Sequence, residues 1–309
     1  MTVPTSPFEA YIAPVGRHVQ VWRTLLGCVI IAATWGVVTT ASALVLTQVP
    51  AVRGHPAGMT LLILYLFGGM TLGAVLAARL AQRRNAMSLV SPQGFRPRLF
   101  WMPAAGLLAV LSIGTLIYIL FLDATPNVPP GRWLMLLPFG LLGVLIQTSA
   151  EEIVFRGYLM QSLAARFRSR IVWLGVPSIL FGALHWDATI HGPNAWLVVA
   201  SATLVGLIFA DVTARCGDLL PAIGLHFANN ALALLVLAPP SPLAGLSLFE
   251  MGGETQDVAT MRLLHLSDIA GALLLYGIWF GIWGRHMRLQ SGQGGPISAP
   301  DAGKGPRGT

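Results

Sequence analysis

Charged residues are scarce in this 309-residue sequence. Asp, Glu, Lys and Arg together make up 10% of it, against about 25% in a soluble globular domain, too little to coat a water-soluble body of this size. Lysine is nearly absent, with Lys304 the single example among 19 basic residues. The two cysteines, Cys28 and Cys216, are too few for a disulfide framework and read as buried structural thiols. The zincin pair H-E-x-x-H and the nucleophile elbow G-x-S-x-G are both missing, so the best-known signatures of zinc and serine hydrolases do not apply. No internal repeat is visible either, which argues against a transporter assembled from two related halves.

Apolar residues are plentiful, at 55% of the chain, with a mean hydropathy of +0.70. They come in blocks of about 20, the length a helix needs to cross a hydrocarbon core. The pattern predicts an all-α, polytopic transmembrane bundle of about eight spans, near 24–47, 59–81, 101–122, 133–162, 171–187, 194–214, 219–237 and 266–284. Turn chemistry separates them, at Val49-Pro50, Arg83-Arg84-Asn85, Thr125-Pro126-Asn127, Pro129-Pro130, Gly192-Pro193-Asn194 and Pro239-Pro240. The first block is longer than a signal-peptide core, so it reads as a retained span.

The net charge of +7 does not point to nucleic acid, because the basic residues flank the apolar blocks instead of forming one cluster. Their placement orients the bundle, since short cytoplasmic loops are enriched in Arg and Lys. With the N-terminus inside, fifteen basic residues fall on the cytoplasmic side, among them Arg17, Arg23, Arg79, Arg84, Arg96, Arg166, Arg215, Arg285, Arg288 and Lys304. Only Arg53, Arg132 and Arg262 fall outside. Both termini are therefore expected in the cytoplasm, and the short loops favour a bacterial plasma membrane. The chain divides into helices 1–3 (1–132), a core of helices 4–7 (133–237), an outer loop and last helix (238–288) and a Gly/Pro/Ser-rich tail (289–309), expected to be disordered. In the outer loop, Glu250, Glu254, Asp257 and Arg262 read as solvating residues.

Ionisable groups at the centre of a membrane helix cost about 2.5–3.5 kcal/mol each, and where they occur they mark function. The fourth span carries Glu151-Glu152-Ile-Val-Phe-Arg156. Residues four apart stack on one helix face, so Glu152 and Arg156 can pair. Glu151 points about 100° away and has no partner in its own helix. The fifth span ends in Phe181-Gly-Ala-Leu-His185, and the seventh contains His226-Phe-Ala-Asn229-Asn230. His226 and Asn230 share a face. Glu152 and Arg156 read equally well as a clasp, and a lone histidine as a packing residue, but neither reading accounts for Glu151, and polar groups in a bilayer turn to the bundle interior and find one another. Together they supply a carboxylate base for a water, a histidine to hold that water, and donors for an oxyanion.

Glu151-Glu152-x-x-x-Arg156, Phe181-x-x-x-His185 and His226-x-x-x-Asn230, in this order on successive helices, resemble the three motifs of the CAAX protease and bacteriocin-processing (Abi) family. That family includes the type II CAAX prenyl endopeptidases. The resemblance covers about residues 133–237. It implies an intramembrane endopeptidase in which Glu151 activates water with His185, His226 and Asn230 stabilise the oxyanion, Glu152 and Arg156 hold the site together, and Phe181 packs beneath His185. It implies a membrane-associated protein or peptide as substrate, lipidated or not, and the bilayer as the other partner; no cofactor is expected, because a metal held by Glu151 would leave only the Arg156-paired Glu152 to act as base. Zinc held by Glu151, His185 and His226 is the alternative mechanism. A non-proteolytic membrane scaffold or immunity protein, and a proton relay, are the alternative functions. Helix counting also sets His185 and His226 about 10 Å apart in depth, which points to a fifth helix tilted or shortened near Pro177, or to misplaced boundaries.

Overall fold

Proline and glycine punctuate the helices of the computed structural model, which describes residues 6–46, 48–50, 52, 54–252 and 257–292, with side chains to 282. Arg53, Glu254, Lys304, Arg307 and the tail from 293 lie outside these residues, as do the side chains of Arg285 and Arg288. The chain forms two compact units, 1–265 and 266–309.

In the first unit a short helix α1 (Pro7–Ile12), capped by Ser6, precedes α2 (Val21–Leu46). The second apolar block breaks at Phe67 into α3 (Pro56–Leu66) and α4 (Gly68–Leu80). Gly69 and Gly73, four apart, let α4 approach α2 closely: a Cβ on Gly73 would lie 2.8 Å from the Ile31 Cα. Small residues at this spacing are a packing device of membrane helices, where burying apolar surface gains nothing over lipid. Next come α5 (Arg98–Phe121) and α6 (Pro130–Glu152), the latter running into a π-wound stretch (Ile153–Met160) and α7 (Gln161–Arg166). A second π-wound turn (Ile171–Gly175) leads into α8 (Val176–Ala183). The one-turn α9 (Ala188–His191), α10 (Ala195–Cys216) and α11 (Leu220–Leu235) follow. Helix α12 (Val258–Gly292) begins in the first unit and makes up the described part of the second.

This is a polytopic, all-α membrane protein. Its outward face is apolar where a soluble protein would be charged: Leu44, Phe121 and Met135 are each at least 70% exposed, as lipid-facing side chains are. Among the described residues six helices are long and apolar enough to cross a bilayer, not the eight expected. The other two apolar helices, Ile171–Ala183 and Leu220–Leu235, rise only about 20 and 24 Å against a core of about 30 Å. The fifth helix stops at Ala183, so the expected run to Asp187 was too long and His185 lies in the turn beyond it. Helix α12 extends to Gly292, past the point at which the tail was expected to begin.

The outer loop is more than solvated chain. Strand β1 (Ala124–Pro126) pairs antiparallel with β3 (Phe249–Met251), which pairs parallel with β2 (Leu237–Ala238). The Asn127 side-chain amide donates to the carbonyls of Ala244 and Ser247 at 2.8 and 3.2 Å, while Asp257 caps α12 through the N–H groups of Ala259 and Thr260. Arg262 reaches Asn194 at 3.4 Å. These residues fasten the loop, which corrects the solvating role expected of them. Cys28 and Cys216 are free and half-buried.

Candidate active site

Helix α6 and its π-wound extension deliver Glu151, Glu152 and Arg156 into the protein interior, where Glu152 and Arg156 are fully buried and Glu151 nearly so. Arg156 Nη1 donates to Glu152 Oε1 at 3.0 Å, the ion pair expected from the four-residue spacing. The guanidinium is enclosed by three aromatic rings: its carbon lies 4.6 Å from the centroid of Phe181, 5.9 Å from Phe209 and 6.0 Å from Phe155. Ring faces carry partial negative charge and hold a desolvated cation.

Helix α11 brings His226 against the same pair. Its Nδ1 is 2.9 Å from Glu152 Oε1, and its Nε2 is 3.5 Å from Glu151 Oε2. A carboxylate already paired with a guanidinium accepts, so Nδ1 carries the proton and Nε2 is the atom turned to Glu151. The imidazole therefore stands between two adjacent carboxylates. Glu151, without a partner in its own helix, finds its neighbour on another.

His185 is placed by the end of α8. Its Nδ1 donates to the Phe181 carbonyl at 2.8 Å, and because a carbonyl only accepts, Nε2 is again the free ring nitrogen. The Phe181 ring lies 4.7 Å from the His185 ring and 6.0 Å from that of His226, so one phenyl group backs both histidines. Gly182 seats this helix end on α10, since a Cβ there would lie 2.0 Å from Thr203 Oγ1 and 2.7 Å from the Val199 carbonyl. Beyond His185, Asp187 caps α9, accepting from the Thr189 hydroxyl and from the Thr189 and Ile190 N–H groups. The bond from the Thr189 hydroxyl, followed by that from the Ile190 N–H, holds the Asp187 carboxyl below its usual value of 3.8.

Asn230 lies one turn beyond His226. Its Nδ2 donates to Gln147 Oε1 at 2.9 Å, and its Oδ1 accepts from Asn229 at 3.0 Å. One amide hydrogen of Asn230 is left over from these bonds. Gln147 was not singled out from the sequence, although a glutamine four residues before Glu151 in an apolar helix is the kind of signal that marks a site face. Phe155 and Phe209, unremarkable in so apolar a chain, were also passed over. Among the described residues no group of three or more His, Cys, Asp or Glu side chains is gathered to hold a metal. Both Nδ1 atoms are already bonded, so ligation would fall to the two Nε2 atoms and Glu151.

The segment that builds the site resembles a known family. Residues 132–232 match the family model described as type II CAAX prenyl endopeptidase Rce1-like. A protein of Bacillus subtilis (strain 168), described as uncharacterized protein YyaK, is 24% identical over 188 residues, which is 59% of this chain and 62% of that relative. The match thus spans less than two thirds of the curated relative. No solved structure matches. The segment holding Glu151, Glu152, Arg156, His185, His226 and Asn230 is thus similar to the Rce1-like type II CAAX prenyl endopeptidases.

Proposed function

We propose that this chain is an intramembrane endopeptidase that hydrolyses a peptide bond in a membrane-associated protein or peptide. The observation that carries the reading is the placement of His226 between Glu151 and Glu152, with His185 behind the same phenyl ring. Two carboxylates and an imidazole gathered in an apolar interior, with a second imidazole against the same phenyl ring, are what a functional site in a membrane protein looks like.

In this reading Glu151 takes a proton from a water held with His185 Nε2, and the resulting hydroxide attacks the scissile carbonyl. Charge develops on the carbonyl oxygen, where His226 Nε2–H and the spare Asn230 amide hydrogen act as donors, each worth about 3–4 kcal/mol in such roles. Glu151 then returns its proton to the departing amine. Glu152, held by Arg156, fixes the His226 ring by accepting from Nδ1. The oxyanion role needs a hydrogen on Nε2 as well as on Nδ1, so the ring acts as a double donor in this step. The water is activated without metal.

The test is cleavage of a panel of quenched-fluorescent, lipid-anchored peptides by the purified protein, wild type beside Glu151→Gln, each with and without a zinc chelator. Activity present in wild type, absent in the variant and untouched by the chelator is the expected result. Loss with the chelator would replace the glutamate mechanism by zinc chemistry. Absence of cleavage, together with binding of a protein partner that ignores the substitution, would favour a scaffold.

A further inference from the structure

The helix that carries the two glutamates and Arg156 is not wound normally. From Ile153 to Met160 it is a π-helix, a winding that pairs each carbonyl five residues ahead and occurs in short pieces, often at functional sites. It needs support from outside because its pairing is poorer than that of an α-helix. Here three consecutive carbonyls of the π-wound stretch accept bonds from side chains. Arg156 O accepts from the Tyr11 hydroxyl at 3.3 Å, Gly157 O from Arg84 Nη2 at 3.3 Å, and Tyr158 O from the Ser162 hydroxyl at 2.5 Å.

Two of these donors come from distant parts of the chain, the first helix and the turn after α4, and the third, Ser162, sits four residues on in α7, which continues the same helix. They are locked to one another. Arg84 Nε donates to Gln82 Oε1 at 2.7 Å and its Nη1 to Gln161 Oε1; Gln82 Nε2 donates to the Ser162 hydroxyl at 2.7 Å. Gln161 Nε2 reaches the Ser88 carbonyl at 2.9 Å, and the Tyr11 hydroxyl also lies 3.3 Å from the Leu89 carbonyl. The Leu89 carbonyl is close enough to the π-wound stretch that a Cβ on Gly157 would lie 2.5 Å from it. Tyr11, Gln82, Gln161 and Ser162 are buried to 2% exposure or less and Arg84 to 7%. An arginine sealed from water is expensive, and its neighbours here are hydrogen-bond acceptors, not carboxylates. Burial raises the Tyr11 hydroxyl well above its usual range and lowers Arg84 to about 10, so both are donors at neutral pH.

We propose that Tyr11, Arg84 and Ser162 are positioning residues for the peptidase site: they clamp the π-wound turn and thereby set the angle at which Arg156 meets Glu152. This rests on the peptidase reading above for its kinetic consequence, but the clamp itself does not. None of the three hydrogen-bonds to a carboxylate or imidazole of the site, and all three act through the backbone that carries Arg156.

The test compares the full-length wild type with Tyr11→Phe, which removes only the hydroxyl, and Arg84→Lys, which keeps the charge but loses the fork of donors. The proteins are reconstituted in lipid nanodiscs. Amide hydrogen exchange is read by mass spectrometry, and kcat and KM are measured on a peptide that the wild type cleaves. The expected result is exchange about tenfold faster over residues 156–162 and kcat about tenfold lower with KM unchanged. Exchange that is unchanged, or faster throughout α5, α10 and α11, would overturn the proposal, as would local loosening with kcat intact. If the wild type cleaves no peptide, the peptidase reading fails by itself and the exchange pattern still decides the clamp.

Discussion

His226 Nδ1 and Arg156 Nη1 meet on the same oxygen, Glu152 Oε1, at 2.9 and 3.0 Å. One carboxylate oxygen thus ties a helix to itself and to a second helix, and it orients the imidazole beside Glu151. The first prediction follows from this sharing.

Replacing Glu152 by Gln leaves Arg156 buried without its hydrogen-bonded counter-charge and should destabilise the fold by about 3–5 kcal/mol. The double substitution Glu152→Gln with Arg156→Met removes the orphaned cation as well. It should be less damaging than the two single changes added together. Denaturant titrations of the four proteins in one detergent give the coupling directly, and strict additivity would contradict the ion pair.

Asn230 touches no charged group, so its removal should spare the fold and damage the reaction. Asn230→Ala is expected to lower kcat by about 10²–10³-fold with little change in KM, the usual consequence of losing an oxyanion donor. Gln147→Leu frees Asn230 from its 2.9 Å bond and should give a smaller loss of the same kind. Steady-state kinetics on one peptide separate the two, and a KM effect without a kcat effect would assign Asn230 to substrate binding.

The cap made by Asp187 sets the chain immediately after His185. Because its carboxyl is held below 3.8, the cap is fully present above that pH. It is lost only as the pH falls through the lower value of the folded protein. Activity at pH 5–8 should therefore be insensitive to Asp187→Asn, which keeps a capping oxygen, and reduced by Asp187→Ala. A pH profile whose acid limb moves with Asp187→Asn would refute this.

Gly182→Ala tests the seat of α8 on α10. The added methyl meets the Thr203 hydroxyl at 2.0 Å and the Val199 carbonyl at 2.7 Å, and overpacking of this kind costs about 1–3 kcal/mol. Thr203→Ala in the same chain relieves the side-chain clash but not the backbone one, so melting experiments should show partial recovery.

Much of this site was legible in the sequence because its parts are local. The Glu152–Arg156 pair needs only the helical repeat, and the shared face of His226 and Asn230 needs the same. The meeting of His226 with both glutamates depends on how α11 packs against α6, and no short-range pattern encodes that. The end of α8 at Ala183 was missed because Leu184-His185-Trp186 holds no proline or glycine to announce it. The π-wound stretch was invisible for a related reason: Ile153–Met160 reads as ordinary apolar helix, and what sustains it comes from Tyr11 and Arg84, more than 70 residues away. Arg84 itself was counted among loop charges, and it is buried.

Of the two helices that fall short of the bilayer, Ile171–Ala183 leads into the turn that holds His185 and Leu220–Leu235 carries His226. A short apolar segment meets a thicker membrane by thinning it or by drawing on flanking residues, at a cost of fractions of a kcal/mol per Å of mismatch. Where lipid meets these helices, the bilayer is expected to thin toward the protein. Acyl-chain length is then expected to act on this protein as a mechanical load, borne by the same elements that place His185 and His226.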